Sequence, residues 1–137
     1  MSESARFEKK KFRVVHFGTY SMKEGYPRNS VIEKAIEATG AEVIRCHRDS
    51  WGNASSRTRD ITSVAAGITR ILRLITAWFS LSWEYLTNTP DHELVLVGYP
   101  GHLDIFIAKI LGRIRSKPVV LDAFLSVYEA VVEDRKL

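Results

Sequence analysis

A single cysteine, Cys46, rules out an internal disulfide, and the charged opening Ser2 to Lys11 stands where a secretory leader carries an apolar core. A reducing, cytoplasmic setting is the expectation, and Asn53-Ala54-Ser55 is accordingly read as loop and not as a glycosylated site. Arg70 and Arg73 interrupt the apolar residues between Ile61 and Leu86, so no unbroken block of about 20 spans a bilayer. No two of the four histidines stand at metal-ligand spacing and Cys46 has no partner, which argues against a metal site. No glycine triplet opens a helix, so the nicotinamide-dinucleotide fingerprint is missing and no cofactor is expected. Ser21, Ser126 and Cys46 lack a nucleophile elbow and an identifiable base, which weakens any hydrolase reading.

What remains is globular composition. With 45% hydrophobic and 26% charged residues, 137 positions hold one domain with a real core and are too few for two. Residues 1–11 read as a charged head and 12–137 as the domain. Lys and Arg number 20 against 16 Asp and Glu; the net charge of +4 is a mild pull towards phosphates or anionic lipid and does not indicate nucleic acid.

Phe12 to Phe17 is a short β-rich run halted at Gly18, a first strand ending in a loop. After the loop Gly18 to Asn29, Val31 to Ala38 carries apolar residues at helical spacing, with Asn29 or Ser30 as N-cap and Gly40 as the stop. Ala41 to Cys46 follows as a second strand, and His47 to Asp60 is a polar, aperiodic loop of a length that often carries function. From Ile61, the residues Val64, Ala65, Ile68, Ile71, Leu72, Ile75, Trp78, Phe79, Ser82 and Leu86 step by three or four, which predicts one long amphipathic helix or two joined ones. Glu93 to Gly98 reads as a buried strand, Tyr99 to His102 as a turn, Leu103 to Gly112 as a helix and Val119 to Asp122 as the last strand. Strand alternating with helix predicts an α/β fold, a Rossmann-like parallel sheet with helices on both faces.

In such a sheet the ligand crevice lies beyond the carboxyl ends of the strands. Three loops therefore matter: Gly18 to Asn29, Tyr99 to His102 and Ala123 to Tyr128. Gly25 stands beside a helix N-terminus whose amides and dipole suit an anion such as a diphosphate, with Arg28 adding a charge-assisted contact. The plainer alternative is that the glycines and Pro27 only make the turn. His102 is the best-placed acid or base, against a role as helix cap or solvent-facing ring. Asp122 ends an apolar strand and points into the crevice, where it can accept hydrogen bonds from a sugar hydroxyl; its alternative is a loop N-cap.

Three segments then carry a family resemblance: Val14 to Tyr20; Gly25-Tyr26-Pro27-Arg28-Asn29 before a helix; and Leu96-Val97-Gly98-Tyr99-Pro100-Gly101-His102-Leu103-Asp104. Together with Lys117 to Tyr128 and Asp134-Arg135, they resemble the N-terminal domain of GT-B glycosyltransferases of the retaining group-one kind. The resemblance covers nearly the whole chain and rests on the order and spacing of its motifs. It implies an acceptor-side domain facing a donor-binding domain across a cleft, transfer of a sugar from a nucleotide-sugar to a sugar or lipid-linked acceptor, and no activity from this half alone. It implies that Gly25 approaches the donor diphosphate, and that Gly18, Thr19, Tyr26, Arg28, Asn29 and Tyr99 line the cleft from the first and second of these loops. Phe124 and Ser126 do so from the last, and Asp122 and His102 are the catalytic candidates. Many members place a histidine in the last loop; Phe124 stands there in this chain, so that role does not carry over. The competing readings are a non-catalytic or acceptor-binding subunit of a split glycosyltransferase and a stand-alone flavodoxin-like or receiver-like module. A receiver has an acidic cluster after its first strand, where this chain has His16, Gly18 and Thr19.

Trp78, Phe79, Trp83 and Tyr85 cluster on a helix that also carries Arg70 and Arg73, after a loop with Arg48, Arg57 and Arg59. Leu74, Ala77 and Leu81 fall outside the main apolar series and are surplus to one sheet-facing stripe. These features carry an expectation of weak peripheral contact with anionic lipid on the cytoplasmic face, against the plainer reading that the aromatics are core or pack on a second domain.

Overall fold

The computed structural model describes residues 10–22, 27–49 and 64–124, with Val64 and Ala66 described by backbone alone. Strands β1 (Arg13–Gly18), β2 (Glu42–His47), β3 (Leu94–Val97) and β4 (Val119–Leu121) alternate with helices α1 (Pro27–Ala38), α2 (Val64–Thr87) and α3 (Asp104–Ile114). The strands form one sheet in the order β2-β1-β3-β4, every neighbour parallel. The α/β, Rossmann-like architecture expected from the alternating pattern is the one found. β1 sits inside the sheet with both faces covered, which is why Val14, Val15, His16 and Phe17 are all buried and the strand reads as a run without alternation.

The two faces differ in chemistry. Because successive strand residues point to opposite faces, Val15 and Phe17 share one side with Cys46, Val95 and Val97, and there they meet Leu81 and Tyr85 of α2 and Ala108 and Leu111 of α3. This is the apolar core, where each fully buried large side chain contributes about 1.5–3 kcal/mol of transfer free energy. His16 faces the other side and meets α1. The reversal of direction between the β1–β2 and β2–β3 connections sends α1 to one face and α2 and α3 to the other.

Two helices use faces that the apolar spacing does not predict. On α1 the buried residues are Asn29 and Glu33, whereas Val31 is 60% exposed. α1 begins at Pro27, a proline suited to a first helical position, so neither Asn29 nor Ser30 is its N-cap: Asn29 lies inside the helix with its side chain turned inward. Gly40 does follow the helix end with a positive φ of 89°. On α2 the sheet-facing residues are Ala77, Leu81 and Tyr85, with Leu74 half-buried, while Ile68, Ile71, Leu72, Ile75, Phe79 and Leu86 of the main series are exposed. The residues read as surplus are the packing ones. Both sides of α2 are apolar, so periodicity alone does not choose between them.

His47 belongs to β2 and not to the loop after it. α2 is one continuous helix; the helix start expected at Ile61 and the loop between Asp49 and Val64 lie outside the described residues.

Candidate functional site

The carboxyl ends of β1 and β3 are adjacent, and their following helices leave to opposite faces, so the switch point of the sheet falls between Gly18 and Gly98. The backbone there is held by two buried side chains. Asp104, in the first turn of α3, accepts from the Thr19 amide (2.7 Å), the Thr19 hydroxyl (2.8 Å) and the Trp78 indole (2.7 Å). It thereby joins the end of β1 to α2 and α3, with its charge at the favourable end of a helix dipole. Gly18, at φ 139°, lets this carboxylate approach: a Cβ there would lie 2.9 Å from Asp104 Oδ2.

Asn29 is the second clamp. Its amide nitrogen donates to the carbonyls of Ser21 (3.2 Å) and Tyr99 (2.8 Å), and its oxygen accepts from the Tyr99 amide (3.1 Å). The amide side chain thus fastens the loop after β3 to the loop after β1. Thr19 and Asn29 are each about 1% exposed, so both act on the cleft by shaping its backbone.

Beneath these loops lies a buried polar group. Glu33 takes His16 Nδ1 on one oxygen (2.7 Å) and Arg45 on the other, Nε at 2.7 Å and Nη2 at 2.6 Å. Burial alone raises the Glu33 carboxyl, but the hydrogen bonds from Arg45 and His16 outweigh it and hold it below the usual carboxylate range. Burial pushes His16 down despite Glu33, and pushes His47 down as well. The Tyr20 ring is sandwiched between them, stacked at 4.0 Å on His16 and 4.8 Å on His47, and burial drives its hydroxyl pKa up. Gly98 is a glycine because this stack passes against it: a Cβ would meet His16 Nε2 at 2.5 Å and Tyr20 Cδ1 at 2.6 Å. Burial also pushes the Cys46 thiol up to about 12, which leaves it protonated and unreactive.

The mouth of the crevice holds the exposed chemistry. Arg28 forks onto Asp122, Nε to Oδ2 at 2.7 Å and Nη2 to Oδ1 at 2.6 Å, and its guanidinium lies 4.2 Å above the Phe124 ring. Donating to the Asp122 carboxylate raises the Arg28 pKa further, so this cation is permanent. The Tyr99 ring meets Phe124 edge-on at 6.0 Å and His102 edge-on at 6.3 Å. Asp122 therefore spends its described contacts on Arg28 and on no helix end, and Leu103, not His102, precedes α3 without a side-chain cap.

Of the residues singled out from sequence, Arg28, Tyr99, His102, Asp122 and Phe124 come together at this mouth. Gly18, Thr19 and Asn29 build the backbone behind it. Gly25, Tyr26 and Ser126 lie outside the described residues. Asp104, Glu33, His16 and Tyr20 were not singled out. The available signal was a carboxylate at the first position of a helix and a Glu four residues after Asn29, on the same helical face. A basin of about 480 Å³ between α3 and β4, lined by Lys109, Arg113 and Lys117, lies towards the amino end of β4, away from the crevice. Among the described residues no cluster of His, Cys, Asp and Glu has the makings of a metal site. No protein-family model, no curated protein and no solved structure matches this chain.

Proposed function

We propose that this chain is the acceptor-side domain of a glycosyltransferase that moves a sugar from a nucleotide-sugar to an acceptor, working in the cytoplasm. One observation carries the reading: at the switch point of a parallel sheet, a forked Arg28–Asp122 pair stands beside the rings of Phe124, Tyr99 and His102. A sugar offers vicinal hydroxyls along its edge and apolar C–H faces. A carboxylate and guanidinium fixed in one plane suit the first, and an exposed ring the second.

In this reading Asp122 accepts from an acceptor hydroxyl, oriented for it by Arg28. Phe124 stacks on the sugar face, Tyr99 sets the position of both rings, and His102 takes the proton that the acceptor hydroxyl loses as its oxygen bonds the anomeric carbon and the nucleoside diphosphate leaves. Thr19 and Asn29 hold the loops in register without touching the ligand. Gly25, Tyr26 and Ser126 lie outside the described residues and stay in this reading as sequence expectations, and the donor diphosphate is met mainly from a second domain.

Saturation-transfer NMR of the 137-residue chain with a panel of mono- and disaccharides tests this. The expected result is contact to sugar protons that is lost in Phe124→Ala, together with no transfer from any nucleotide-sugar by the chain alone. Sugar contact that survives both Phe124→Ala and Asp122→Asn, or turnover by the isolated chain, overturns it.

A further inference from the structure

We infer that the outer faces of α2 and α3 form one surface that docks this protein onto a bilayer containing anionic lipid. On α2, Ile68, Leu72, Ile75, Phe79, Trp83 and Leu86 step by three and four along the side opposite Leu81. All are exposed, Phe79 at 76% and Trp83 at 72%. Leu103, just before α3, and Phe106, Ile110 and Ile114 on it form a second row, with Phe106 at 65%. Exposed apolar residues scattered singly are ordinary, whereas a double row of this length is the mark of an interaction surface.

The two rows adjoin. Both helices cover the same face of the sheet, and the Trp78–Asp104 bond sets α3 on the Trp78 flank of α2. Ile71 and Ile75 lie on that same flank, at i−7 and i−3 of Trp78, so the apolar side of α2 leans towards α3. The opposite flank meets Arg48, the residue after β2, which reaches Ser80 and Glu84.

Charge selects the occupant. The exposed ionic side chains of the two helices are Arg70, Arg73, Lys109 and Arg113, all cationic. The acids are already engaged, Glu84 by Arg48 and Asp104 by Thr19 and Trp78. A second copy of the chain would bring like charges together, whereas a layer of anionic headgroups over an apolar interior complements both the cations and the rows. The hydroxyls beside the α2 row are satisfied without water: Thr69 donates to Ala65, Thr76 to Arg73 and Thr87 to Trp83, each to a backbone carbonyl.

The reach of α2 points the same way. Leu74 is the first residue of α2 with any described burial, so the stretch before it, from Val64, extends about 15 Å without packing at 1.5 Å per residue. Every described side chain from Ala65 to Arg73 there is exposed. A stretch of this length is marginal in water by itself and gains support when its apolar side is buried in an interface. No helix among the described residues is long and apolar enough to cross a membrane, so the geometry is that of a helix lying in the surface.

Vesicle binding tests this independently of any sugar chemistry. The full 137-residue chain is sedimented with phosphatidylcholine vesicles made with and without phosphatidylglycerol, while tryptophan emission is recorded. Expected are binding to the anionic vesicles alone and a blue shift that Trp83→Phe removes. Arg70→Gln with Arg73→Gln should lower the partition coefficient about fivefold for each charge removed. Phe79→Ser with Phe106→Ser should abolish binding with an unchanged far-ultraviolet circular dichroism spectrum, since both residues are exposed. Three results overturn the inference: equal binding to both vesicle types, no binding by the folded chain, or a dimer in light scattering that Phe79→Ser dissociates.

Discussion

Arg28 and Asp122, far apart in sequence, meet in a forked ion pair at 2.6 and 2.7 Å that joins the first turn of α1 to the end of β4 across the crevice. The geometry is specific to a planar guanidinium, which presents two parallel N–H groups to two carboxylate oxygens. Lysine at position 28 keeps the charge and loses the fork.

Arg28→Lys and Asp122→Asn should therefore act alike on function and little on folding. The Arg28 side chain is 38% exposed and that of Asp122 only 9%, so the pair stands between a surface and a buried ion pair and contributes about 1–2 kcal/mol to stability. The expected outcome is a shift in urea midpoint within that bound for either variant, with weakened sugar contact in saturation-transfer NMR. A large loss of stability in Asp122→Asn would make the pair a structural strut and remove its place in the proposed function.

Asp104 should behave in the opposite way. Its removal in Asp104→Ala leaves the Thr19 amide, the Thr19 hydroxyl and the Trp78 indole without their acceptor in a buried setting. Each orphaned donor costs about 1–3 kcal/mol, and together they should lower the unfolding free energy by about 3 kcal/mol once water relieves some of them. Urea titration measures the loss, and a change in native tryptophan emission reports on Trp78. An unchanged midpoint would show that these donors find other partners.

Acid should destabilise the fold in two stages, with the same sign in each. Burial holds His16, His47 and His92 below their ordinary value of 6.5, so the unfolded chain takes up protons before the folded one does. Stability is then complete above about pH 7.5 and falls as pH drops through 6.5, by up to about 1.4 kcal/mol per pH unit for each histidine. Glu33, held below its ordinary 4.5 by Arg45 and His16 against the cost of burial, adds a second loss as pH falls through that value. Urea midpoints at pH 8, 7, 6 and 5 follow the curve. A midpoint unchanged between pH 7 and 5 would mean that the histidines titrate alike in both states.

The strands were legible because a parallel strand covered on both faces leaves a run of apolar residues, as in Val14–Val15 and Leu94 to Val97, that competes with no other element. Arg28, His102 and Asp122 could be picked out one at a time as polar residues in loops at strand ends, but not as a pair, since their meeting depends on which strands are neighbours. Glu33, and the inward clamp that Asn29 makes, were hidden for a different reason. They occupy the buried face of α1, and their partners come from distant segments, Tyr99 for one and His16 and Arg45 for the other. A pattern that equates buried with apolar passes over them. On α2 the difficulty was excess: nearly every side of the helix but the Thr and Arg strip is apolar, so either face could have met the sheet.

That ambiguity yields the last prediction. Leu81 and Phe79 stand two residues apart on α2, near opposite sides of one helix, and only the fold distinguishes them. Leu81 is fully buried against the core of Phe17, Cys46 and Tyr85, whereas Phe79 is exposed. Leu81→Ala opens a cavity among close-packed neighbours and should lower stability by about 2–5 kcal/mol. Phe79→Ala removes a larger side chain that touches little, and should move stability by no more than about 0.5 kcal/mol, the usual range for surface substitutions. If the main apolar series faced the sheet, as the spacing from Ile68 to Leu86 predicts, the two results would be exchanged. Paired urea titrations of the variants decide the orientation of α2, and with it whether the row from Ile68 to Leu86 is free to meet a bilayer.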